Sequence, residues 1–311
     1  MVDGPHPDSV LRYGESGRQV QLKVHQCVWS GNYMPNSLAA IQDCYRARVA
    51  RAEIDIAMLA DEDFLVVHDL DLAGATNGHG RVEDTTRVQA GRLRLTRDGL
   101  ASMERPPLLS EVADAIVREP YPTLLELDLK DWKPWPWPRV EELVRLLQPV
   151  KDRVIFGGGA DWNLRRLQRV DPSLPVGFNF SDYLDWVPEG ESTEPLPGVR
   201  GAYGYLDAHP LARARLGTTA DYLRDRLGGV LRLAPGAREI HLSLLAAERM
   251  LEDGLTDLAD LVHHHGMLLD LWTLNAGTPR WRERLRCALE AGADVITTET
   301  PAELVRAVPE P

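Results

Sequence analysis

The sequence predicts an α/β protein, a (β/α)8 barrel with insertions after the second and fifth strands. Short β-rich runs alternate with amphipathic helical patterns from residue 21 onward, which is typical of parallel βα units. About eight such units are present, and that number favours a closed barrel over an open doubly wound sheet. The length of 311 residues fits two average domains or one large barrel, and the repeating pattern favours a single domain over residues 1–311.

The barrel strands are predicted where short runs rich in aliphatic residues precede turn or helix signals. They are residues 21–26, 52–59, 123–130, 153–157, 175–180, 239–244, 268–275 and 294–299. Another β-rich run, 64–69, follows the second strand closely. It is either the hairpin partner of that strand or its continuation.

Amphipathic helices are predicted between these strands from apolar residues at helical spacing. They are residues 36–50, 109–119, 138–148, 161–170, 256–265, 281–292 and 301–308. Asn36 is the expected N-cap of the first helix, and Thr300 caps the last, with Pro301 at its first position. Two turn-rich stretches interrupt the alternation, 70–107 and 181–238, and the second contains a predicted helix near 219–228. Long connections in compact domains are usually functional or mobile.

Composition limits the classes of partner. The net charge of −12, from 47 acidic and 35 basic residues, argues against nucleic acid or an anionic bilayer as the main partner. The N-terminus lacks a basic start followed by an apolar run, and no stretch of about 18 apolar residues predicts an integral membrane span. Three scattered cysteines without metal-type spacing suit reduced thiols, so a cytoplasmic location is expected. Nothing in the sequence predicts the oligomeric state.

Acidic side chains share one face of two neighbouring predicted strands. In "AEIDIAML" (52–59), alternation places Glu53 and Asp55 on one face and the isoleucines on the other. In "ELDLK" (126–130), Glu126, Asp128 and Lys130 likewise share a face. Like charges buried together need a compensating cation. Oxygen ligands without Cys or clustered His suit one Mg²⁺ or Ca²⁺, held by Glu53, Asp55 and Asp128, while Lys130 adds a second positive charge.

Two histidines are expected at the same end of the barrel. His25 ends the first predicted strand and His68 ends the run after the second, and barrel active sites lie at the carboxyl ends of the strands. Imidazole titrates near neutrality, so the pair can take a proton from a nucleophile and give one to a leaving oxygen. Together with a divalent ion, this pattern predicts cleavage of a phosphodiester.

A succession of short motifs resembles the glycerophosphodiester phosphodiesterase family over about residues 21–308. The segments, in the family's order and spacing, are "HQC" (25–27), "PNS" (35–37), "EID" (53–55), "HD" (68–69), "ATNGHG" (75–80), "DLK" (128–130), "WTLN" (272–275) and "TETP" (298–301). Each motif is short, and it is their succession that is specific.

The resemblance implies a TIM barrel and metal-dependent phosphodiester cleavage. By position in the motifs, His25 and His68 would be the acid/base pair, and Glu53, Asp55 and Asp128 the metal ligands. Contacts to the substrate, a small-molecule or lysolipid phosphodiester, are expected from Lys130, Trp272, Gln26, Glu126 and Asn275.

Departures from the family pattern keep other functions open. Gln26 and Gly74 stand where the family has arginine, and Asn36 stands where it has glutamate. Loss of guanidinium groups weakens bidentate phosphate binding. One alternative is an enzyme like sphingomyelinase D/phospholipase D, which expels the alcohol and leaves a cyclic phosphate. Others are a relative of phosphatidylinositol-type phospholipase C, or a catalytically silent barrel that binds a phosphorylated ligand. Trp132, Trp135 and Trp137 either overhang the active-site mouth or pack the barrel rim.

Overall fold

The protein is a closed barrel of eight parallel strands in a computed structural model that describes residues 4–15, 17–183 and 217–308. Strands are numbered along the chain as follows: β1 Val10–Tyr13, β2 Arg18–Val24, β3 Arg51–Met58, β4 Phe64–Val66, β5 Thr96–Arg97, β6 Leu100–Ala101, β7 Leu124–Leu129, β8 Val154–Gly158, β9 Gly177–Asn179, β10 Glu239–Ser243, β11 Leu268–Trp272 and β12 Val295–Thr298. Hydrogen-bonded neighbours run in the order β8, β7, β3, β2, β12, β11, β10, β9. A parallel bridge between Phe156 and Val176 joins the two ends, which confirms the predicted barrel.

Two strands lie outside the parallel barrel. β4 pairs antiparallel with β3, so the run that begins at residue 64 is a hairpin partner and not a continuation. β1, which the sequence did not predict, pairs antiparallel with β2 through Val10 opposite Gln21 and Tyr13 opposite Arg18. The N-terminal segment thereby covers one end of the first barrel strand.

Helices follow the barrel strands, and two short ones lie in the 70–107 stretch. They are α1 Leu38–Ala47, α2 Leu72–Ala75, α3 Arg87–Ala90, α4 Leu109–Arg118, α5 Trp137–Leu147, α6 Asp161–Val170, α7 Thr219–Leu231, α8 Leu244–Glu252, α9 Leu258–His264, α10 Trp281–Glu290 and α11 Pro301–Ala307. The predicted N-cap at Asn36 is wrong: Ser37 caps α1, its hydroxyl accepting from the Ala40 N–H at 3.1 Å. Helix α8 was missed because it starts directly at the end of β10, with no turn residues between them.

The apolar core lies between the strands and the surrounding helices. Ile54 of β3 and Leu127 of β7 are fully buried on the outward face of the sheet, where each such side chain contributes about 1.5–3 kcal/mol of hydrophobic free energy. Trp135 is also fully buried against Phe64, so this tryptophan packs the rim and does not overhang the mouth. Apolar residues thus face the helices, and the polar members of the same strands face the barrel interior.

The two turn-rich stretches differ in what can be described. Residues 70–107 carry α2, α3 and the β5–β6 hairpin. Their buried residues Leu72, Val82 and Leu93 pack against Ala57 and Leu65 in a separate small core. Residues 184–216 of the second stretch lie outside the described residues, although the predicted helix near 219–228 is present as α7. No helix in the described ranges combines the length and apolarity needed to cross a bilayer.

Candidate active site

Strand register brings the acids of β3 and β7 together. Glu53 lies opposite Glu126 and Asp55 opposite Asp128 in the parallel pairing. One carboxylate oxygen each from Glu53, Asp55 and Asp128 lies within 4.8 Å of the other two. The convergence follows from alternation, because residues on one face of paired strands are neighbours.

Lys130 lies between two of these carboxylates. Its Nζ is 2.7 Å from both Asp55 Oδ1 and Asp128 Oδ2. Burial raises the pKa of Asp55, but Lys130 and His68 outweigh burial and hold that pKa well below its usual range. Burial and then the Asp55 charge raise the pKa of Glu53 well above its usual range. The cluster therefore has one ammonium for three acids. The raised pKa of Glu53 reflects this deficit of positive charge.

Gln26 and Asn36 lie against the carboxylates. The Gln26 N–H donates to Glu53 Oε2 at 2.8 Å and its side-chain amide donates to Asp55 Oδ2 at 3.0 Å. Asn36 Nδ2 donates to the same Asp55 oxygen at 2.7 Å, and the Asp55 N–H donates to Asn36 Oδ1 at 3.1 Å. Both residues have positive φ, 48° and 60°, in the tight turns that bring them there. The Gln26 amide is thus engaged with a carboxylate.

Each histidine has a carboxylate on its Nδ1. His25 Nδ1 is 2.9 Å from Glu299 Oε1, and His68 Nδ1 is 2.9 Å from Asp69 Oδ1. A carboxylate at Nδ1 favours the tautomer with its proton there, which leaves Nε2 for other partners. The hydrogen bond from His25 lowers the pKa of Glu299. Glu299 was not predicted as a site residue, although its position in "TETP" at the end of β12 was available as a signal.

Asn275 contacts the backbone of Glu299 and is not among the residues that line the cavity. Its Oδ1 accepts from the Glu299 N–H at 2.7 Å and from the Thr298 hydroxyl at 3.3 Å. It therefore fixes the backbone that carries Glu299. Trp272, in contrast, lines the cavity.

One cavity of about 270 Å³ at the carboxyl end of the barrel unites these groups. Its wall includes the residues His25, His68, Glu53, Asp128, Lys130, Glu126 and Trp272. Of the predicted substrate contacts, Lys130, Trp272 and Glu126 lie on this wall, whereas Gln26 and Asn275 do not.

The floor of the cavity is a buried ion network that the sequence analysis missed. Lys23 Nζ lies 2.5 Å from Glu126 Oε2 and also pairs with Asp270, and His241 Nδ1 is 3.3 Å from Glu126 Oε1. Burial lowers the pKa of Lys23, but Asp270 and Glu126 outweigh it and the net shift is strongly upward. Glu126 is therefore already paired.

Two glycines make room for this network. A Cβ on Gly157 would lie 2.4 Å from Glu126 Oε1, and one on Gly177 would lie 2.4 Å from His241 Nε2. Strands β8 and β9 thus present no side chain where those two groups lie.

Comparisons with known proteins agree on one family. The model of the glycerophosphoryl diester phosphodiesterase family matches residues 29–303. A curated glycerophosphodiester phosphodiesterase from Caldanaerobacter subterraneus subsp. tengcongensis is 26% identical over 156 residues, which cover 48% of this chain and 62% of that protein. The match thus spans less than two thirds of the relative.

Solved structures of similar fold carry related descriptions. A putative glycerophosphoryl diester phosphodiesterase from Silicibacter pomeroyi superposes with a TM-score of 0.66 at 20% identity, covering 98% of this chain and 94% of that one. An Oleispira antarctica phosphodiesterase, solved with the product sn-glycerol-3-phosphate, gives 0.63 at 17% identity, covering 92% and 96%. At these identities the likeness concerns the fold.

Proposed function

Because the chain belongs to the glycerophosphoryl diester phosphodiesterase family, we propose that it is a phosphoric diester hydrolase that cleaves a glycerophosphodiester with His25 and His68 as the acid/base pair. The observation that carries the proposal is the meeting of both histidines with Glu53, Asp128 and Lys130 around one cavity. The description of the Oleispira antarctica neighbour supports sn-glycerol 3-phosphate as the product.

The donor set fits one divalent ion. Glu53, Asp55 and Asp128 offer converging oxygens, and Glu53 Oε1 is buried with no hydrogen-bond partner among the described residues. Three carboxylates against the Lys130 ammonium leave two negative charges when all are ionised, and a divalent cation would neutralise them. Oxygen-only ligands suit Mg²⁺ or Ca²⁺. Such an ion, when bound, supplies positive charge that polarises a phosphoryl oxygen.

The chain's own groups then account for proton transfer and binding. Nε2 of one imidazole takes the proton of the attacking water, and Nε2 of the other protonates the leaving alcohol oxygen. Glu299 and Asp69 hold the rings through Nδ1. Lys130 contacts the phosphate, and Trp272 packs against the glycerol portion.

The departures at Gln26 and Asn36 do not favour a silent binder. Both amides support Asp55, a proposed metal ligand, so the positions still serve the acidic cluster. The family match likewise favours hydrolysis over formation of a cyclic phosphate.

Phosphorus NMR tests the proposal. Metal-stripped protein is reloaded with Mg²⁺ or Ca²⁺ and incubated with glycerophosphocholine; a monoester should appear, with no cyclic phosphate. His25→Ala and His68→Ala should each lower turnover by at least about 10²-fold, while His264→Ala, at the exposed end of α9, serves as the control. Folded wild-type protein that cleaves no phosphodiester with either metal would refute the assignment.

A separate titration tests the metal ligands. Asp128→Asn removes one charge at nearly constant size and should weaken the binding of Mg²⁺ or Ca²⁺ by at least tenfold, about 1.4 kcal/mol. Asp114→Asn on the exposed face of α4 is the matched control. Equal calorimetric affinities in the two variants would exclude Asp128 as a ligand.

A further inference from the structure

The most exposed large apolar side chains of the described ranges all lie in the segment 70–107. They are Met103, Leu100 and Val88, at 92%, 75% and 70% exposed. Val88 lies on the short helix α3, whereas Leu100 lies on the β5–β6 hairpin and Met103 directly after it. Single exposed apolar residues need no explanation, but several that lie close together indicate a contact surface. Leu100 and Met103 therefore indicate a contact made by the hairpin.

The hairpin stands at the rim of the candidate active site. Thr96 lies opposite Ala101, and Arg97 lies opposite Leu100, in its antiparallel pair. Thr96 lines a cavity of about 220 Å³ that His68 also lines, and His68 is on the wall of the active-site cavity as well. Because successive residues of a strand project to opposite faces, Arg97 and Leu100 project away from that cavity. One face of the hairpin thus adjoins the site, and the other presents an arginine and a leucine to solvent.

Positive charge accompanies these apolar side chains. Arg92, Arg94 and Arg97 belong to the hairpin and its approach, and the last two donate to backbone carbonyls. Within the part of the chain that the structure describes, none of the three pairs with a carboxylate. Asp98 in the turn offsets one of these charges. The whole segment has six arginines and five acidic residues, a net charge of +1 in a chain of −12.

A lipid surface fits this combination better than a second protein. The apolar side chains of one short hairpin cannot supply the roughly 800 Å² per partner that a stable protein interface buries. A few apolar side chains with basic neighbours suffice for reversible contact with anionic lipid. The apolar groups enter the headgroup boundary, and each base near the surface adds about fivefold in affinity. The net charge of −12 requires that such a contact be local and made in one orientation.

We propose that the β5–β6 hairpin docks the rim of the candidate active site onto an anionic phospholipid surface. Leu100 and Met103 enter the headgroup region, and Arg92 and Arg97 contact the lipid phosphates. The inference goes beyond the proposed hydrolysis, because it places the cavity beside phosphodiesters that lipids carry at a surface. Docking is measured without turnover, so its failure and the failure of the proposed function are distinguishable.

Vesicle flotation with the full chain tests the proposal. Binding is compared between vesicles of phosphatidylcholine alone and vesicles of equal parts phosphatidylcholine and phosphatidylglycerol. At low salt we expect binding to the mixed vesicles to be at least about tenfold tighter. High salt should remove most of this difference, because it screens the arginines from the lipid phosphates. Absence of binding to the mixed vesicles, or equal binding to both kinds, overturns the proposal.

Substitution of the apolar pair separates the hairpin from the rest of the surface. Leu100→Ser/Met103→Ser should weaken binding to the mixed vesicles by at least about tenfold, with an unchanged Tm, because both side chains are exposed. Val117→Ser is the control. Val117 is 54% exposed near the end of α4 that leads into β7, at the amino end of the barrel strands. Unchanged binding by the folded double variant, or an equal loss in the control, overturns the proposal.

The arginines are tested in the same way. Arg92→Gln/Arg97→Gln should weaken binding by at least about tenfold at low salt and much less at high salt. Arg118→Gln, also exposed near the end of α4, is the matched control and should bind as the wild type does. A loss of the same size at both salt concentrations would contradict a contact with lipid phosphates.

A fluorescent label tests the orientation. An environment-sensitive fluorophore on Met103→Cys, in a Cys287→Ser background, should shift to the blue when mixed vesicles are added; the other two cysteines are buried. The same label on Val117→Cys should not shift. Equal shifts at the two positions, or none at Met103→Cys, overturn the proposal. A dimer that forms without vesicles and is lost in Leu100→Ser/Met103→Ser would assign the hairpin to a second copy of the chain instead.

Discussion

Asp131 is a buried carboxyl group beside the candidate active site, and the free energy that its ionisation costs the folded protein can be measured. It follows Lys130 at the end of β7, is 7% exposed, and its Oδ2 accepts from the Met58 N–H of β3 at 2.9 Å. Burial raises its pKa from 3.8 to about 6. The folded state therefore holds this proton more tightly than the unfolded state, so stability falls as pH rises from about 4 to about 6, and then levels off.

Asp131→Asn keeps an acceptor for the Met58 N–H and cannot ionise. From the two pKa values, ionisation of Asp131 costs the wild type about 1.6 kcal/mol at pH 5 and about 3 kcal/mol at pH 8. The fixed cost of burying the amide cancels between the two conditions. The variant should therefore gain about 1.4 kcal/mol relative to wild type between pH 5 and pH 8.

Urea denaturation at both pH values measures this difference. All other titrating groups are shared by the two proteins, so their contributions cancel. Asp114→Asn, on the exposed face of α4, is the control and should show no such pH dependence. A stability difference that is the same at pH 5 and pH 8 would show that Asp131 is not a strained buried carboxylate.

Three further substitutions test the groups around the cavity. Glu299→Gln keeps the shape of the side chain but weakens its hydrogen bond to His25 Nδ1. Because the Glu299 side chain is 38% exposed, we expect only about a tenfold fall in kcat, or 1.4 kcal/mol. Steady-state kinetics should show a nearly unchanged KM. A rise in KM alone would contradict a positioning role. Lys23→Met removes the ammonium shared by Glu126 and Asp270 and should lower the free energy of unfolding by about 3–5 kcal/mol in urea. A loss below 1 kcal/mol would show that the floor tolerates an uncompensated charge. Gly177→Ala puts a Cβ against His241 and should cost about 1–3 kcal/mol, read as a lower Tm, whereas an unchanged Tm would mean that His241 moves freely.

Strand alternation explains why the acidic cluster could be predicted. Glu53 and Asp55 had to share a face, and so did Glu126 and Asp128. Parallel pairing of the two strands, residue opposite residue, then completed the convergence. The same rule applied to Lys23, two residues before His25, and Asp270, two before Trp272, would have placed both in the interior. The buried ion network of the floor could therefore have been predicted from the sequence.

Other features depend on tertiary geometry that a local pattern does not contain. Asn36 has the residue type of an N-cap, but a positive φ turns its amide onto Asp55, and Ser37 takes the cap. Asn275 belongs to a motif at the end of a strand, yet its partner is the backbone of Glu299, 24 residues later. The residue types were visible in both cases, whereas the partner was fixed only by closure of the barrel.

The interior charges form two layers with opposite needs. In the floor, Lys23, Arg51 and His241 face Glu126, Glu239 and Asp270. Burial lowers the pKa of His241, but Glu126, Glu239 and Asp270 together outweigh burial and the net shift is upward, which favours the imidazolium.

The layer above contains Glu53, Asp55 and Asp128 with Lys130 alone, and Asn36 and Gln26 solvate it without adding charge. The fold leaves the net negative charge of this layer on the wall of the cavity that His25 and His68 also line. Uncompensated negative charge in this layer, above a floor in which three basic side chains face three acids, is the physical basis for the proposed metal site.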